Sequence, residues 1–365
     1  MASEPDRRIR VFQVATGNLG KEMIRRICDH SELELVGLHC YSPEKIGRDA
    51  GELVGLAELG VIATGSVDEI IAAAPDVVTF HGVFPDEQLY ERVLEAGINV
   101  VTTADWITGH HRDLNHPHPS GKPTTVVLAE ACLRGGSTFH GTGMNPGLCQ
   151  ILGVVNSCDV ADIENVTVIE STRADCHHSV ESWRMVGYGR PVDDPEIPTM
   201  LELGTRVFGD GVLMMADCFG LNLDEVVFSY DLGASVEDVD LGWYRLPSGS
   251  LAASRVKYRG MVNGVPRVEV HAEWQMTDRT DPPWAVEGCY ITKITADPCI
   301  RSKHKILPKP GFDFSSEPAF ASVAMTVTGM PALNAISAVV KAPPGLLTPA
   351  DLPLRGLAGR FKCDI

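Results

Sequence analysis

The chain has 365 residues, of which 44% are hydrophobic and 22% are charged, and its formal net charge is −17 at pH 7. This composition is typical of a folded globular protein with room for two domains, and it excludes an intrinsically disordered chain. The negative charge disfavours nucleic acid and anionic membranes as partners, because Lys and Arg would have to replace the counterions on phosphate. The predicted ligand is therefore a small molecule.

Neither the first residues nor the cysteines indicate export or membrane insertion. Residues 1–8 lack the apolar stretch of a secretory signal, and no run of about 18 apolar residues predicts a membrane-spanning helix. Ten cysteines are scattered without C-x-x-C spacing in a chain too large to need disulfides. We therefore expect reduced thiols and a cytoplasmic location.

The first folded segment is predicted to be a buried strand, a glycine turn and the start of a helix. Residues 9–14 are mostly apolar, and they are followed, after Ala15, by Thr16, Gly17, Asn18, Leu19 and Gly20. Glycine lets the backbone approach a pyrophosphate, and the N–H groups at a helix start bind anions. Because Ala15 replaces the first glycine of G-x-G-x-x-G, an ordinary strand-to-helix corner is the alternative. We predict that residues 16–20 bind a dinucleotide.

Strand and helix patterns alternate through the first 150 residues. After the first helix, we predict strands at 34–40, 76–81, 98–103 and 137–142, and helices at 67–74, 86–96 and 124–135. Such alternation predicts a parallel sheet with helices on both faces. The first domain, residues 1–150, is therefore predicted to be an α/β domain of the Rossmann type.

From residue 163 the hydrophobic pattern changes to a period of two. Strands are predicted at 165–171, 225–232, 254–262, 267–276 and 289–296, with a helix at 205–219. One covered and one wetter face indicate an open mixed or antiparallel sheet. We assign residues 151–317 to an α+β domain for substrate binding and oligomerisation. Residues 318–365, with an apolar helix at 330–340, are predicted to pack back on the first domain.

The motifs in this order resemble the dihydrodipicolinate reductase superfamily. Besides the strand, GxxG and helix start, they are Val77-Val78-Thr79-Phe80-His81, Val100-Val101-Thr102-Thr103-Ala104 and Gly141-Thr142-Gly143-Met144-Asn145-Pro146-Gly147. Over nearly its whole length the chain is similar to the branch that contains diaminopentanoate dehydrogenases and native amine dehydrogenases, and it most resembles actinobacterial members.

The resemblance implies an NAD(P)-dependent oxidoreductase that holds its substrate between the two domains. Hydride would pass between the nicotinamide and a C=N or C–N carbon. The segments that would flank the nicotinamide ribose, or lead from the cofactor domain into the substrate domain, contain Phe80, His81, Thr102, Thr103, Ala104, Asn145 and Pro146.

The loop after the second predicted strand bears on the choice of cofactor. NAD-specific domains usually place an Asp or Glu there for the ribose 2′-hydroxyl, and none is present at residues 38–42. Ser42, Lys45 and Arg48 follow, and a hydroxyl with nearby cations suits a 2′-phosphate. We predict NADP, with NAD also possible; the alternative is that Lys45 and Arg48 belong to a solvated loop.

Three residues are candidates for handling the proton that accompanies hydride transfer. His177 and His178 lie where the resemblance places the His-His pair of the reductases, and Glu181 replaces the lysine that follows that pair, which favours a cationic or neutral substrate. Asp105 matches in charge a glutamate that native amine dehydrogenases carry near the same strand end. The alternatives are surface or hydrogen-bonded histidines, and an aspartate that caps a turn.

The remaining candidates concern the substrate pocket, a metal and a thiol. We predict that the substrate pocket includes Trp106, Met144, Trp183 and Tyr188, although such side chains also pack domain interfaces. A histidine-rich loop lacks the helical pairing or the cysteines of familiar zinc sites, so no metal is predicted; it contains His110, His111, Asp113, His116 and His118. Sequence adjacency to histidines does not make Cys176 a nucleophile.

Together these features predict an amine dehydrogenase or imine reductase that acts on an amine, ketone or aldehyde and forms a homodimer or homotetramer. A carbonyl reductase or alcohol dehydrogenase would use the same dinucleotide site, and so would a non-catalytic dinucleotide sensor.

Overall fold

A computed structural model describes residues 7–115, 118–313 and 317–353, with the backbone alone for residues 317–322. The chain divides into two compact units, residues 1–144 with 325–365 (unit 1) and residues 145–324 (unit 2). His116 and the last part of the predicted C-terminal segment lie outside the described residues. No helix within the described ranges is long and apolar enough to cross a bilayer.

Unit 1 is built on a seven-stranded parallel sheet, which confirms the predicted Rossmann-type architecture. Its strands are β1 (Ile9–Val14), β2 (Leu33–His39), β3 (Ala63–Thr64), β4 (Val77–Phe80), β5 (Asn99–Thr102), β6 (Thr138–Gly141) and β16 (Gly345–Leu347). Their order across the sheet is β16-β6-β5-β4-β1-β2-β3. The order reverses between β1 and β4, and open α/β sheets bind ligands beyond the carboxyl ends of the strands at such a point.

Helices cover this sheet and bury their apolar sides against it. They are α1 (Asn18–Cys28), α2 (Ala50–Val54), α3 (Val67–Ala73), α4 (Glu87–Glu95), α5 (His110–Asn115) and α6 (Thr124–Gly135), together with the end of α11 (Glu317–Val339). In α11, Leu333 and Ile336 belong to a core cluster that includes Val11 and Val77. The helix predicted at 330–340 is therefore the last part of a longer helix, whose Leu333 and Ile336 pack in the core of unit 1.

Unit 2 contains a second seven-stranded sheet, which is mixed as predicted. Its strands are β7 (Ala161–Arg173), β8 (Glu225–Ser235), β11 (Leu251–Val262), β12 (Val265–Gln275), β13 (Thr280–Asp281), β14 (Cys289–Asp297) and β15 (Ile300–His304), in the order β13-β8-β11-β12-β7-β14-β15. Strands β7 and β12 run parallel, and the other neighbouring pairs are antiparallel. A short hairpin is formed by β9 (Val239–Asp240) and β10 (Arg245–Leu246).

Among the described residues of unit 2, the α-helices that lie wholly within it are α7 (Cys149–Asn156), α8 (Val180–Met185), α9 (Ile197–Thr205) and α10 (Val207–Cys218). Helix α7 packs on β7, where a Cβ on Gly153 would meet the Val168 side chain at 2.9 Å. The helix predicted at 205–219 is accurate for α10 but misses α9, which ends at Thr205. Helices thus cover one face of this sheet. The second face carries rows of charged side chains.

Candidate active site

The glycine turn after β1 leaves an open cradle at the start of α1. Ala15 has a φ of 74°, a left-handed conformation that favours glycine, at the position where the dinucleotide fingerprint has its first glycine. Gly17 is the N-cap of α1, and a Cβ added there would meet no heavy atom within 4 Å. Gly17 has no side chain to cap the helix, and the first turn of α1 contains no acidic residue. This arrangement suits a bound phosphate.

Gly20 also suits a phosphate-binding turn, but for a different reason. A Cβ at Gly20 would lie 2.2 Å from the carbonyl oxygen of Ala15, so only glycine lets α1 pass this close to the end of β1. Gln13, which is fully buried, holds the turn by donating from Nε2 to the carbonyl oxygens of Val14 and Ala15 at 2.9 and 3.2 Å. The turn and the helix start therefore fit the pyrophosphate of a dinucleotide.

The loop after β2 brings a cation to this turn. Lys45 Nζ donates to the carbonyl oxygen of Thr16 at 3.3 Å, and Ser42 is the N-cap of the 3-10 turn that contains Lys45. A carboxylate, Asp86, also reaches the loop, where it accepts a hydrogen bond from the Tyr41 hydroxyl at 2.7 Å. Arg48 instead forms an ion pair with Glu52 at 2.7 Å on the surface, so Ser42 and Lys45 are the better candidates for a 2′-phosphate.

The ends of β4 and β5 bring the residues predicted beside the nicotinamide ribose together. His81 Nδ1 lies 3.0 Å from Thr103 Oγ1, and the Thr103 N–H donates to the Phe80 carbonyl oxygen at 3.2 Å. Burial lowers the pKa of His81 to about 3, so the ring is neutral. Its Nε2 is buried and has no hydrogen-bond partner among the described residues. Thr102 Oγ1 accepts from the Ala104 N–H at 2.9 Å.

Asp105 follows β5 directly and is already paired with cationic groups. Its Oδ2 lies 3.1 Å from Arg112 Nη1 and 3.1 Å from His111 Nε2, and its own backbone has a positive φ of 45°. The neighbouring Trp106 is 3% exposed and packs in the core of unit 1, with its ring centroid 4.9 Å from that of Phe139. Roles in proton transfer for Asp105 and in substrate contact for Trp106 stay predictions.

The histidine-rich segment begins as helix α5 rather than as a loop. His111 pairs with Asp105, whereas His118 Nδ1 lies 2.9 Å from Ser120 Oγ and its Nε2 lies 3.4 Å from Glu91. Within the described part of the chain, no three His, Cys, Asp or Glu side chains are grouped as a metal site would require.

The two histidines predicted as catalytic have different surroundings in the loop between β7 and α8. Burial lowers the pKa of His177, whose Nδ1 is buried and lacks a hydrogen-bond partner among the residues described. Its ring lies edge-on to Trp183, at 5.8 Å between centroids. His178 stacks on Trp243, at 4.8 Å, and Trp243 belongs to the β9–β10 hairpin, which no sequence motif indicated.

The predicted pocket residues of unit 2 form part of an aromatic cluster. Trp183 packs edge-on against Tyr188 and Trp274, at 5.0 and 5.5 Å between centroids. The Tyr188 hydroxyl lies 2.9 Å from Ser254 Oγ, so its polar atom is satisfied. Met144 is also buried, at the end of unit 1. Burial raises the pKa of Cys176 to about 11, so the thiolate that a nucleophile needs is disfavoured.

Glu170 is a further candidate that the motifs did not indicate. It lies in β7 with Asn145 Nδ2 at 2.9 Å and Trp274 Nε1 at 2.8 Å, and both groups donate hydrogen bonds to its carboxylate. The available signal was its position, because Glu170 alternates in phase with Val166 and Val168, which are buried on the face that α7 covers. A carboxylate in an apolar row of this kind marks a polar site inside the domain.

Both the sequence and the fold of this chain are similar to those of known proteins. An amine dehydrogenase from Streptomyces virginiae is 30% identical over 363 residues, which cover 95% of this chain and 96% of that protein. The solved amine dehydrogenase from Mycobacterium smegmatis has the same fold, with a TM-score of 0.75 at 19% identity over 98% of this chain and 99% of that one. GenD2 from gentamicin A biosynthesis, solved in complex with NAD, aligns with a TM-score of 0.54 at 12% identity over 96% of this chain and 92% of its own.

No protein-family model matches the chain. The first of these similarities nevertheless extends over almost the entire length of both sequences. The chain belongs to the amine dehydrogenase family, the branch that its motifs resemble.

Proposed function

We propose that this protein is an NAD(P)-dependent amine dehydrogenase that interconverts an amine with the corresponding ketone or aldehyde and ammonia. The observation that carries the proposal is the open cradle at Gly17, at the start of a helix with no acidic residue in its first turn, in a chain of this family. Thr16, Gly17 and Gly20 would hold the pyrophosphate, together with the backbone of Asn18 and Leu19. The bound nicotinamide supplies the acceptor or donor of the hydride.

NADP is the proposed preferred form of the cofactor. Lys45 contacts the turn that would hold the pyrophosphate, and Ser42 precedes it in the same loop. We expect Lys45→Ala to weaken NADPH binding about tenfold, or about 1.4 kcal/mol, and NADH binding less than about twofold, because only NADPH carries the 2′-phosphate. Lys122→Ala, which removes an exposed lysine paired with Glu130, is the control. Equal losses for both nucleotides would contradict the preference.

The activity is tested with purified protein, NADPH or NADH, and a panel of ketones and aldehydes with and without ammonium chloride. Ammonium-dependent loss of nicotinamide absorbance is the expected result. Oxidation that ignores ammonium would identify a carbonyl reductase or alcohol dehydrogenase instead. Tight nucleotide binding without oxidation of any kind would identify a non-catalytic sensor.

The residues that manage the proton are proposed from the sequence and remain to be tested individually. Of the three, His177 has a buried and unpartnered Nδ1 among the described residues, whereas Asp105 is paired with Arg112. We expect a catalytic residue to lose at least about a hundredfold in kcat/KM when changed to asparagine. Unchanged turnover after replacement of Asp105, His177 and His178 together would remove the assignment.

Assembly into a homodimer or homotetramer is proposed through the second face of the sheet in unit 2. That face carries Arg255 and Lys257 on β11 beside His271 and Glu273 on β12, so it offers both signs of charge to a second copy. Light scattering coupled to size exclusion tests this, and a monomer at micromolar concentration would contradict it. The cytoplasmic location, expected from reduced cysteines, stays a prediction.

A further inference from the structure

The Glu170 carboxylate is held in place by three neutral donors inside unit 2. Asn145 Nδ2 donates to Oε2 at 2.9 Å, while Trp274 Nε1 and Thr172 Oγ1 donate to Oε1 at 2.8 and 3.2 Å. Glu170 as a whole residue is partly buried. The hydrogen bonds orient the carboxylate, but they supply no positive charge.

The hydrogen-bond partners of Glu170 in the described part of the chain are all neutral. Among the described residues, no Lys, Arg or His forms an ion pair with it. Burial raises the pKa of Glu170, and the three hydrogen bonds oppose that rise. Burial, followed by the charge of Glu170, also raises the pKa of Cys149 and Tyr290, so these neighbours are neutral at pH 7. Because an unpaired buried carboxylate is costly, the site favours a ligand that brings a cation.

Aromatic side chains line the same region. Trp274, which donates to the carboxylate, lies 5.5 Å from Trp183 and 5.9 Å from Phe208 between ring centroids. Tyr290 on β14 is the direct cross-strand partner of Glu170. Aromatic faces attract organic cations, and they exclude strongly hydrated ions such as sodium in favour of alkylammonium groups. A carboxylate beside indole and phenol rings is thus suited to a protonated amine.

The orientation of Asn145 is determined by a second buried residue. Gln150, fully buried, donates from Nε2 to Asn145 Oδ1 at 2.9 Å and accepts from the Gly147 N–H at 2.6 Å. With its oxygen occupied, Asn145 presents its NH₂ group to Glu170. Asn145 is the first residue of unit 2 and follows the end of β6 by four residues. The carboxylate is therefore preorganised by the segment that leads directly from the last central strand of unit 1.

We propose that Glu170 binds the ammonium group of the amine substrate and accepts its proton. This inference rests on the proposed function and names the residue that receives the amine. In the step assigned to Glu170, an N–H bond of the ammonium breaks and an O–H bond forms on the carboxylate. The nitrogen keeps the electron pair, and the carboxylate charge is neutralised. That pair is then available for the C=N bond as the hydride leaves the neighbouring carbon.

Asp105 is the competing carboxylate, and its environment differs in the decisive respect. It already contacts Arg112 and His111, each at 3.1 Å, so an ammonium ion would have to compete with resident cations. Glu170 has neutral hydrogen-bond donors and aromatic neighbours instead. The two assignments therefore predict opposite outcomes when each carboxylate is replaced.

The first test measures cation binding without cofactor. Methylammonium chloride is titrated into the full-length protein at constant ionic strength, with sodium chloride as the reference, and tryptophan fluorescence is followed because Trp274 contacts Glu170. We expect a saturable change with methylammonium that is absent in Glu170→Gln. Glu164→Gln, an exposed glutamate in the same strand, should respond like the wild type. Identical responses of the wild type to both salts would overturn the proposal.

The second test measures amine oxidation. We expect Glu170→Gln to lower kcat/KM at least about a hundredfold, and Glu170→Asp, which keeps the charge but shortens the side chain, to lower it less. The proposal is wrong if Glu170→Gln retains kcat/KM within about twofold. It is also wrong if Asp105→Asn abolishes methylammonium binding and Glu170→Gln does not. Should Glu170→Gln fail to fold, Glu170→Asp decides, since a charge-dependent site requires that it still bind methylammonium.

The two tests separate this proposal from the proposed function. Methylammonium binding that depends on Glu170, in a protein that turns over no amine, would reject the function and support the site. Amine oxidation that survives Glu170→Gln would support the function and reject the site.

Discussion

Replacing the two glycines of the cradle should separate dinucleotide binding from folding. In Gly20→Ala the new Cβ would lie 2.2 Å from the Ala15 carbonyl oxygen, so α1 or the turn must move by about 1 Å to relieve the overlap. Overpacking of this kind costs about 1–3 kcal/mol, which corresponds to a fall in Tm of about 2–10 °C. In Gly17→Ala the Cβ meets nothing within 4 Å, and the φ of −69° is open to alanine, so we expect a change in stability below about 0.5 kcal/mol.

Gly17→Ala, which should hardly change stability, is nevertheless expected to weaken the binding of NADPH. The methyl group of Gly17→Ala would occupy the space into which a pyrophosphate fits, and we expect at least a tenfold weaker affinity for NADPH, or about 1.4 kcal/mol. Thermal unfolding with and without NADP⁺, together with titration of NADPH fluorescence, measures both quantities. An unchanged Tm for Gly20→Ala, or wild-type NADPH affinity for Gly17→Ala, would refute the role given to that glycine.

Three further changes test the packing and the charges. Ile336→Ala, at a fully buried position of α11, should lower the free energy of unfolding by about 2–5 kcal/mol. The control, Leu133→Ala at a 69% exposed position, should change it by less than about 0.5 kcal/mol. Equal effects of the two changes in urea unfolding would contradict the packing of α11 in unit 1. Burial lowers the pKa of His81 to about 3 and that of His140 to about 4. In the unfolded chain each histidine has a pKa of about 6.5, so below that pH the unfolded chain binds more protons than the folded one. Stability should therefore be full above about pH 6.5 and fall as the pH drops towards 4, by up to about 1.4 kcal/mol per pH unit for each ring. His140→Asn should reduce that slope, and a wild-type slope in the variant would show that His140 does not contribute. Trp274→Phe removes a donor that lowers the pKa of Glu170, so the acidic limb of kcat/KM should move to higher pH; a limb that stays in place would argue against Glu170 as the base.

Local patterns in the sequence are sufficient for the architecture of both units. Alternating strands and helices predict the parallel sheet, and period-two alternation predicts the mixed sheet, because each pattern reflects which side of a single element is covered. The glycine turn is equally local, because Gly17 and Gly20 lie within a few residues of each other, but their spacing alone also fits an ordinary strand-to-helix corner. The resemblance to amine dehydrogenases, which the whole-length similarity confirms, depends on strand ends of the same kind.

Contacts between distant segments were decided by the tertiary structure. Strand β16 joins the parallel sheet by pairing with β6, which lies about 200 residues earlier in the chain. A strand of three residues has too short a sequence pattern to predict which strand it pairs with. The stacking of Trp243 on His178 is likewise a contact between distant segments, because the β9–β10 hairpin places Trp243 beside the loop that contains His178. Ion pairs with Arg112 give Asp105 a resident partner that its position after β5 does not reveal.

Glu170 shows the limit most clearly. Polar residues at alternate positions of a strand are expected to face solvent, and the sequence of β7 does not say which of its two faces the helices will cover. Once α7 lies over Val168, the next residue in that row is a carboxylate inside the domain, with Trp274 and Asn145 as donors. Strand patterns specify that a residue alternates, whereas the packing of helices on the sheet decides which alternating residues lose water, and the chemistry of the site depends on that loss.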